Sequence, residues 1–228
     1  QEEAIELYET VQEGVENIQG VGVVVCPPFG YLPQIAALKG SLTIGAQDSF
    51  WEEEGAYTGE ASPQTLKELG CTHVILGHSE RRKHVGETSE MVQKKVFAAI
   101  EEGLIPVVCI GETERDQGKE ILHNQINIIL RDIEKTSSLI VVYEPEWAIS
   151  SNAGAEPATP ERVKESVAYM KEVLSGMFSE HAVPILYGGS VDASNIQSFL
   201  READVQGALV GSASLDAREF IELVKNSR

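Results

Sequence analysis

Apolar residues recur along this chain with two different spacings. Over residues 2–18, Ile5, Tyr8, Val11, Val15 and Ile18 fall one helical turn apart with acidic and polar residues between them, which predicts an amphipathic helix with no strand before it. Seven short apolar runs rich in β-branched residues follow: GVGVVV (20–25), LTIGA (42–46), THVILG (72–77), IPVVCIG (105–111), SLIVVYE (138–144), VPILYGG (183–189) and VQGALVG (205–211). Each has the length of a buried strand and lacks the alternation of a half-exposed one, as parallel strands covered on both faces do. Helical stretches lie between them, among them 89–102, 160–175 and 192–201.

The order strand, loop, helix repeats with no Pro/Ser/Gly-rich linker and no shift in composition, so residues 1–228 read as a single α/β domain. Seven repeats behind an orphan helix predict a (β/α)8 barrel whose first strand is not in this chain. An open, doubly wound sheet is the other arrangement of such a pattern, but no G-x-G-x-x-G follows the early strands.

Composition narrows the partners. The chain carries 18 Lys+Arg against 36 Asp+Glu, a net charge of -18, which repels nucleic acid and anionic membranes. The same field opposes an anionic substrate at long range, so any phosphate site must rely on local N–H groups and dipoles. Cys26, Cys71 and Cys109 are odd in number and widely spaced, which argues for buried thiols in a reducing compartment rather than disulfides or a zinc cluster. There is no leader-like segment and no apolar run near the ~20 residues of a membrane span. A cytoplasmic protein with no membrane or nucleic-acid partner is expected.

Polar residues and glycines gather just after the strands: His78, Glu112, Glu144, Gly188 to Ser190, and Gly211 with Ser212. In a (β/α) barrel those strand ends build the face that carries chemistry. Glu144 closes an otherwise apolar strand, which suits a general base at the barrel mouth. Pro145 and Trp147 precede the Ser/Gly/Ala-rich stretch 150–155, a composition that reads as a stiff hinge leading into a lid. His78 stands directly after a strand at the start of a polar turn. The positive end of a helix there would disfavour the imidazolium and leave a neutral ring able to donate to a carbonyl oxygen. Arg81 and Arg82 read as structural ion-pairing residues. Two Gly-bearing turns, Tyr187-Gly188-Gly189-Ser190 and Val210-Gly211-Ser212-Ala213, would present backbone N–H groups to a phosphate.

These segments resemble the triosephosphate isomerase family from the first helix to the C-terminus. The resemblance rests on GAYTGE (55–60), GHSERR (77–82), CIGET (109–113), YEP-W-AI (143–149), YGGSV (187–191) and LVG-ASL (209–215), six blocks in one order. It implies a TIM barrel and, with no cofactor and no metal, the interconversion of two triose phosphates. By resemblance Glu144 is the base, His78 the electrophile, Glu80 a supporting acid and Cys109 a buried thiol behind the base. The substrate phosphate would be held by Ser150, Gly189, Ser190, Gly211 and Ser212. Pro145 and Trp147 would form the lid hinge and Tyr187 would steady the closed lid. Gln47, Thr58, Glu60 and Arg81 would lie in a homodimer interface, with Glu60 and Arg81 paired.

The chain departs from the family at three places. The lid lacks the short Gly-Thr-Gly-Lys pattern and is about three residues longer, Ser212 replaces a glycine, and the family's first strand, with its Asn and Lys, has no counterpart here. A barrel without that strand is expected to be aggregation-prone or closed by another chain, and nearly inactive. Two other readings stay open on the sequence: a non-catalytic relative or fragment of the same barrel, and a metal-dependent sugar-phosphate enzyme. The latter needs inward ligands on several strands, and His73 and His78 share one segment.

Overall fold

A computed structural model describes the chain apart from residues 39, 116, 135–137, 150–155 and 179–181. Helix α1 (Glu2–Val15) buries Tyr8, Val11 and Val15 along one stripe and packs on the last helix, α9 (Ala217–Asn226). Among the described residues six parallel strands follow: β1 (Val24–Val25), β2 (Thr43–Ala46), β3 (His73–Leu76), β4 (Ile105–Ile110), β5 (Ile140–Tyr143) and β6 (Ile185–Tyr187). They pair in sequence order, the arrangement of a curling α/β barrel sheet.

Helices α2 (Leu32–Ala37), α3 (Pro63–Glu68), α4 (Ser79–Val85), α5 (Ser89–Glu101), α6 (Lys119–Ile129), α7 (Pro160–Met177) and α8 (Ile196–Glu202) lie between strands. Several begin where a side chain accepts a free backbone N–H: Ser62 for α3, Thr88 for α5, Thr159 for α7 and Asp216 for α9.

Each of the seven expected strands is shorter than its apolar run, the first and the last most of all. Only Val24 and Val25 of run 20–25 pair, and the run at 205–211 makes a single bridge, Tyr187 to Ala208. Even so, Gln206 N–H donates to Ile185, Tyr187 N–H to Gly207 and Leu209 N–H to Tyr187, so this run lies in parallel beside β6. The helix expected at 192–201 begins at Ile196. Asp192 Oδ1 accepts from the N–H groups of Ser194 and Asn195, and this local turn competes with the helical start.

The strands are covered on both faces. Val108, Ile110, Val141 and Tyr143 point outward into a core shared with α5, α6 and α7. Val107, Cys109 and Val142 point inward and pack with Ile75, Ile140, Leu186 and Leu209. The C-terminal ends of β3, β4, β5 and β6 then deliver His78, Gly111, Glu144 and Gly188 to one end of the sheet. Among the described residues no helix is long and apolar enough to cross a membrane.

Candidate active site

Glu144 follows the last residue of β5 and stays in register with β4, because its N–H donates to the Ile110 carbonyl at 2.8 Å. The end of β4 approaches it closely. A Cβ on Gly111 would collide with the Glu144 carbonyl, and the Gln125 side chain holds Gly111 through both its N–H (3.0 Å) and its carbonyl (2.9 Å). From the other side Gly188 packs against Val142 and the Glu144 side chain with no room for a Cβ. Two glycines therefore let three strand ends converge on this one carboxylate.

The Glu144 side chain is buried, only 3% exposed. Its Oε2 accepts from Ser79 N–H at 2.9 Å and its Oε1 from the Ser79 hydroxyl at 3.0 Å. His78 Nε2 lies 2.9 Å from Oε1. His78 caps α4, and its Nδ1 accepts from Glu80 N–H at 3.3 Å. An accepting Nδ1 assigns the ring proton to Nε2, which donates to Glu144. Burial pushes the His78 pKa down, but the hydrogen bond and charge of Glu144, aided by Glu80 and Glu87, outweigh it and leave the pKa raised. The sequence expectation of a disfavoured imidazolium is thus reversed in this arrangement, because the helix end acts against a carboxylate in direct contact. Glu80 stands beside the ring on the solvent side, 3.9 Å from Nδ1 and 68% exposed. Cys109 is buried, and burial, with the charge of Glu144 second, pushes its thiol well above the ordinary range.

Beyond Glu144, Pro145 is buried and the 3-10 turn Glu146–Ala148 follows. Glu112 anchors this turn. Its carbonyl accepts from Glu146 N–H (2.9 Å), and its Oε1 accepts from the Trp147 indole N–H (3.1 Å) and the Tyr143 hydroxyl (2.7 Å). The Tyr143 phenol is pushed up first by burial and then by the Glu112 charge. Ser190 donates its hydroxyl proton to the Ala148 carbonyl at 2.8 Å, joining the glycine turn after β6 to the segment after β5. Tyr187 is fully buried and stacks on Phe199; its hydroxyl has no partner among the described residues and fills the space a Cβ on Gly189 would need. Gly211 and Ser212 are exposed at the start of the 3-10 turn Ser212–Leu215. Ser150 lies outside the described residues.

Of the residues read as an interface, Gln47, Thr58 and Glu60 are exposed, and Gln47 donates to the Cys26 carbonyl. Arg81 does not pair with Glu60 within the chain. It bonds Asp48 at 2.8 Å and Glu87 at 3.3 Å, because those carboxylates are buried and need cations. Lys95, itself 1% exposed, completes the cluster with bonds to Asp48 and Glu87. Arg82 differs from its expected role too. Among the described residues it forms no ion pair, and it donates to the carbonyls of Gly77 and Cys109 and to the Ser89 hydroxyl.

Sequence reasoning gave no role to Ser79, Glu112 or Lys95. Ser79 adjoins His78 within GHSERR, and Lys95 sits in the apolar stripe of α5 beside Val92, Val96 and Ala99. A charge inside an apolar stripe was the available signal.

The family model for triosephosphate isomerase matches residues 1–227. The chain belongs to the triosephosphate isomerase family. It is 43% identical to the triosephosphate isomerase of Citrifermentans bemidjiense, over 99% of this chain and 93% of that protein. It is 42% identical to that of Caldanaerobacter subterraneus subsp. tengcongensis, over 97% and 92%. The crystal structure of triosephosphate isomerase from Bartonella henselae superposes with a TM-score of 0.89 at 30% identity, covering 99% of this chain and 93% of that one. The fold is therefore a TIM barrel and the protein an isomerase. Among the described residues no group of three His, Cys, Asp or Glu side chains could hold a metal ion.

Proposed function

We propose that the enzyme interconverts dihydroxyacetone phosphate and D-glyceraldehyde 3-phosphate through an enediolate, the isomerisation that serves glycolysis and gluconeogenesis. Glu144 takes the proton from the carbon beside the carbonyl, while the Nε2–H of His78 donates to the carbonyl oxygen and so carries the developing charge. His78 next takes up the hydroxyl proton of the carbon that lost its hydrogen, so that a proton has passed from one oxygen to the other, and Glu144 returns its proton to the former carbonyl carbon. The observation that carries this reading is the buried Glu144 carboxylate set 2.9 Å from His78 Nε2 at the ends of β5 and β3. Once the carboxylate turns away from the imidazole and Ser79, a base and a donor held this close can address adjacent atoms of one small substrate. The names of the relatives support the triose phosphates as substrates. Glu80 tunes the imidazole, and the phosphate is received by Gly189, Ser190, Gly211, Ser212 and Ser150. Pro145, Trp147 and Tyr187 serve the lid.

We also infer a homodimer formed through Gln47, Thr58, Glu60 and the α4 region of Arg81. The neighbouring exposed side chains Tyr57 (44%) and Val85 (64%) favour burial against a second copy. Three free cysteines suit a reducing cytoplasm.

A coupled assay on the full-length protein, run with and without a chelator, tests the activity. Isomerisation that chelator leaves unchanged is expected. Chelator-sensitive turnover would instead support a metal-dependent sugar-phosphate enzyme.

A further inference from the structure

Cations are scarce in this chain, 18 Lys+Arg against 36 Asp+Glu, yet three of them converge on the dipeptide Glu146–Trp147. The Lys83 ammonium, on α4, lies 3.3 Å from a Glu146 carboxylate oxygen. The Arg162 guanidinium, in the first turn of α7, stands 5.0 Å from the centre of the Trp147 ring, and that of Arg115, after β4, stands 5.7 Å from it. Both distances permit cation–π attraction. Arg162 also donates to the Arg115 carbonyl, and Arg115 bonds the Glu156 carboxylate. The Glu156 N–H in turn donates to the Trp147 carbonyl at 3.3 Å. With Glu112 accepting from the indole N–H, Trp147 is fixed by cations at its ring and an anion at its edge, from three separate parts of the barrel.

The placement of this dipeptide bears on the base. In the structure both Glu144 oxygens are engaged by Ser79, and the Nε2 proton of His78 is directed at Glu144. The two groups satisfy each other, so neither can address a substrate until the carboxylate withdraws from Ser79 and the imidazole. Only Pro145, whose ring fixes φ near -68°, separates Glu144 from Glu146 and Trp147, so a displacement of the dipeptide passes to the base.

We propose that Lys83, Arg115 and Arg162 are positioning residues that hold Glu146–Trp147, and through Pro145 the base, in the resting position. They thereby set the fraction of enzyme whose base is free to act. The proposal rests on Glu144 being the base. An anion resembling the enediolate binds the form with the base advanced, so its apparent affinity is reduced by the rarity of that form. Weakening the cation cluster raises that fraction.

The test uses Arg162→Gln and Lys83→Gln, singly and together, in full-length protein also carrying Trp51→Phe and labelled with 5-fluorotryptophan to report on Trp147. The probe ligand is a two-carbon phosphocarboxylate that mimics the enediolate charge. The double variant is expected to bind the probe roughly three- to tenfold more tightly. In the ligand-free protein its Trp147 fluorine resonance should move toward the ligand-bound position. Arg162→Lys, which keeps a cation over the ring, should restore most of the original affinity. Unchanged or weaker probe binding together with an unmoved resonance would overturn the proposal. Loss of isomerase activity in the unsubstituted protein would overturn the functional reading instead, so the two failures are distinguishable.

Discussion

At the scale of single residues, His78 is where opposing influences can be separated. Burial and the Glu80 N–H at Nδ1 favour the neutral ring, whereas Glu144 at 2.9 Å favours the imidazolium, and the resting balance lies with Glu144. A raised folded-state pKa means that the contact adds stability below the unfolded value of about 6.5 and loses it as pH rises through the folded pKa. Histidine titration by NMR is expected to place His78 above an ordinary histidine and to show its pKa falling in Glu144→Gln. A pKa that stays put in that variant would mean that Glu144 is not what raises it. The same balance bears on the reaction, because once Glu144 turns to a substrate its contribution weakens and the neutral, donating ring is favoured.

Elements explain why these two side chains meet, and how far the sequence could say so. β3 and β5 do not pair directly; each flanks β4, and Gly111 at the end of β4 lets the backbone carrying Glu144 pass close by. The position of α5 depends on a cluster with no surface equivalent: Lys95 bonds Asp48 at 2.8 Å and joins Glu87, with Arg81 on the same carboxylates. Removing one member of a buried ion cluster leaves uncompensated charge, so Lys95→Met is expected to cost about 3–5 kcal/mol. A urea denaturation midpoint that barely moves would show that Asp48 and Glu87 become protonated or hydrated at little cost. His78 and Glu144 were legible as candidate residues because polar residues at the ends of apolar strands are conspicuous. Lys95 showed only as a charge within the apolar stripe of α5, and its partners did not show at all, because Asp48 and Glu87 lie outside that helix and only folding brings the three together. The short pairing of 205–211 was hidden for a related reason. An apolar run records burial, whereas a strand also needs ladder partners, and here the backbone bonds to β6 satisfy only part of the run.

For the whole molecule the net charge of -18 is the dominant feature. It opposes an anionic substrate at long range, so on the proposed reading capture would rest on the turns at Gly189–Ser190 and Gly211–Ser212, where Gly211 and Ser212 lie open to solvent. It also opposes self-association, since a dimer concentrates twice that charge. Sedimentation is expected to give twice the 24.8 kDa chain mass, with dissociation at low ionic strength and tighter association as salt screens the repulsion over ~10 Å at 0.1 M. A monomer at every salt concentration would remove the homodimer and leave Tyr57 and Val85 exposed for another reason.

Proton exchange reports on the base more directly than turnover does. In deuterated solvent, NMR can follow loss of the proton beside the carbonyl of dihydroxyacetone phosphate, whether or not product forms. If Glu144 is the base, Glu144→Gln in the full-length protein should slow this exchange by about 100- to 10,000-fold, the usual worth of a positioned general base. His78→Gln should slow product formation while leaving some exchange. Exchange in Glu144→Gln at the rate of the unsubstituted protein would contradict the account.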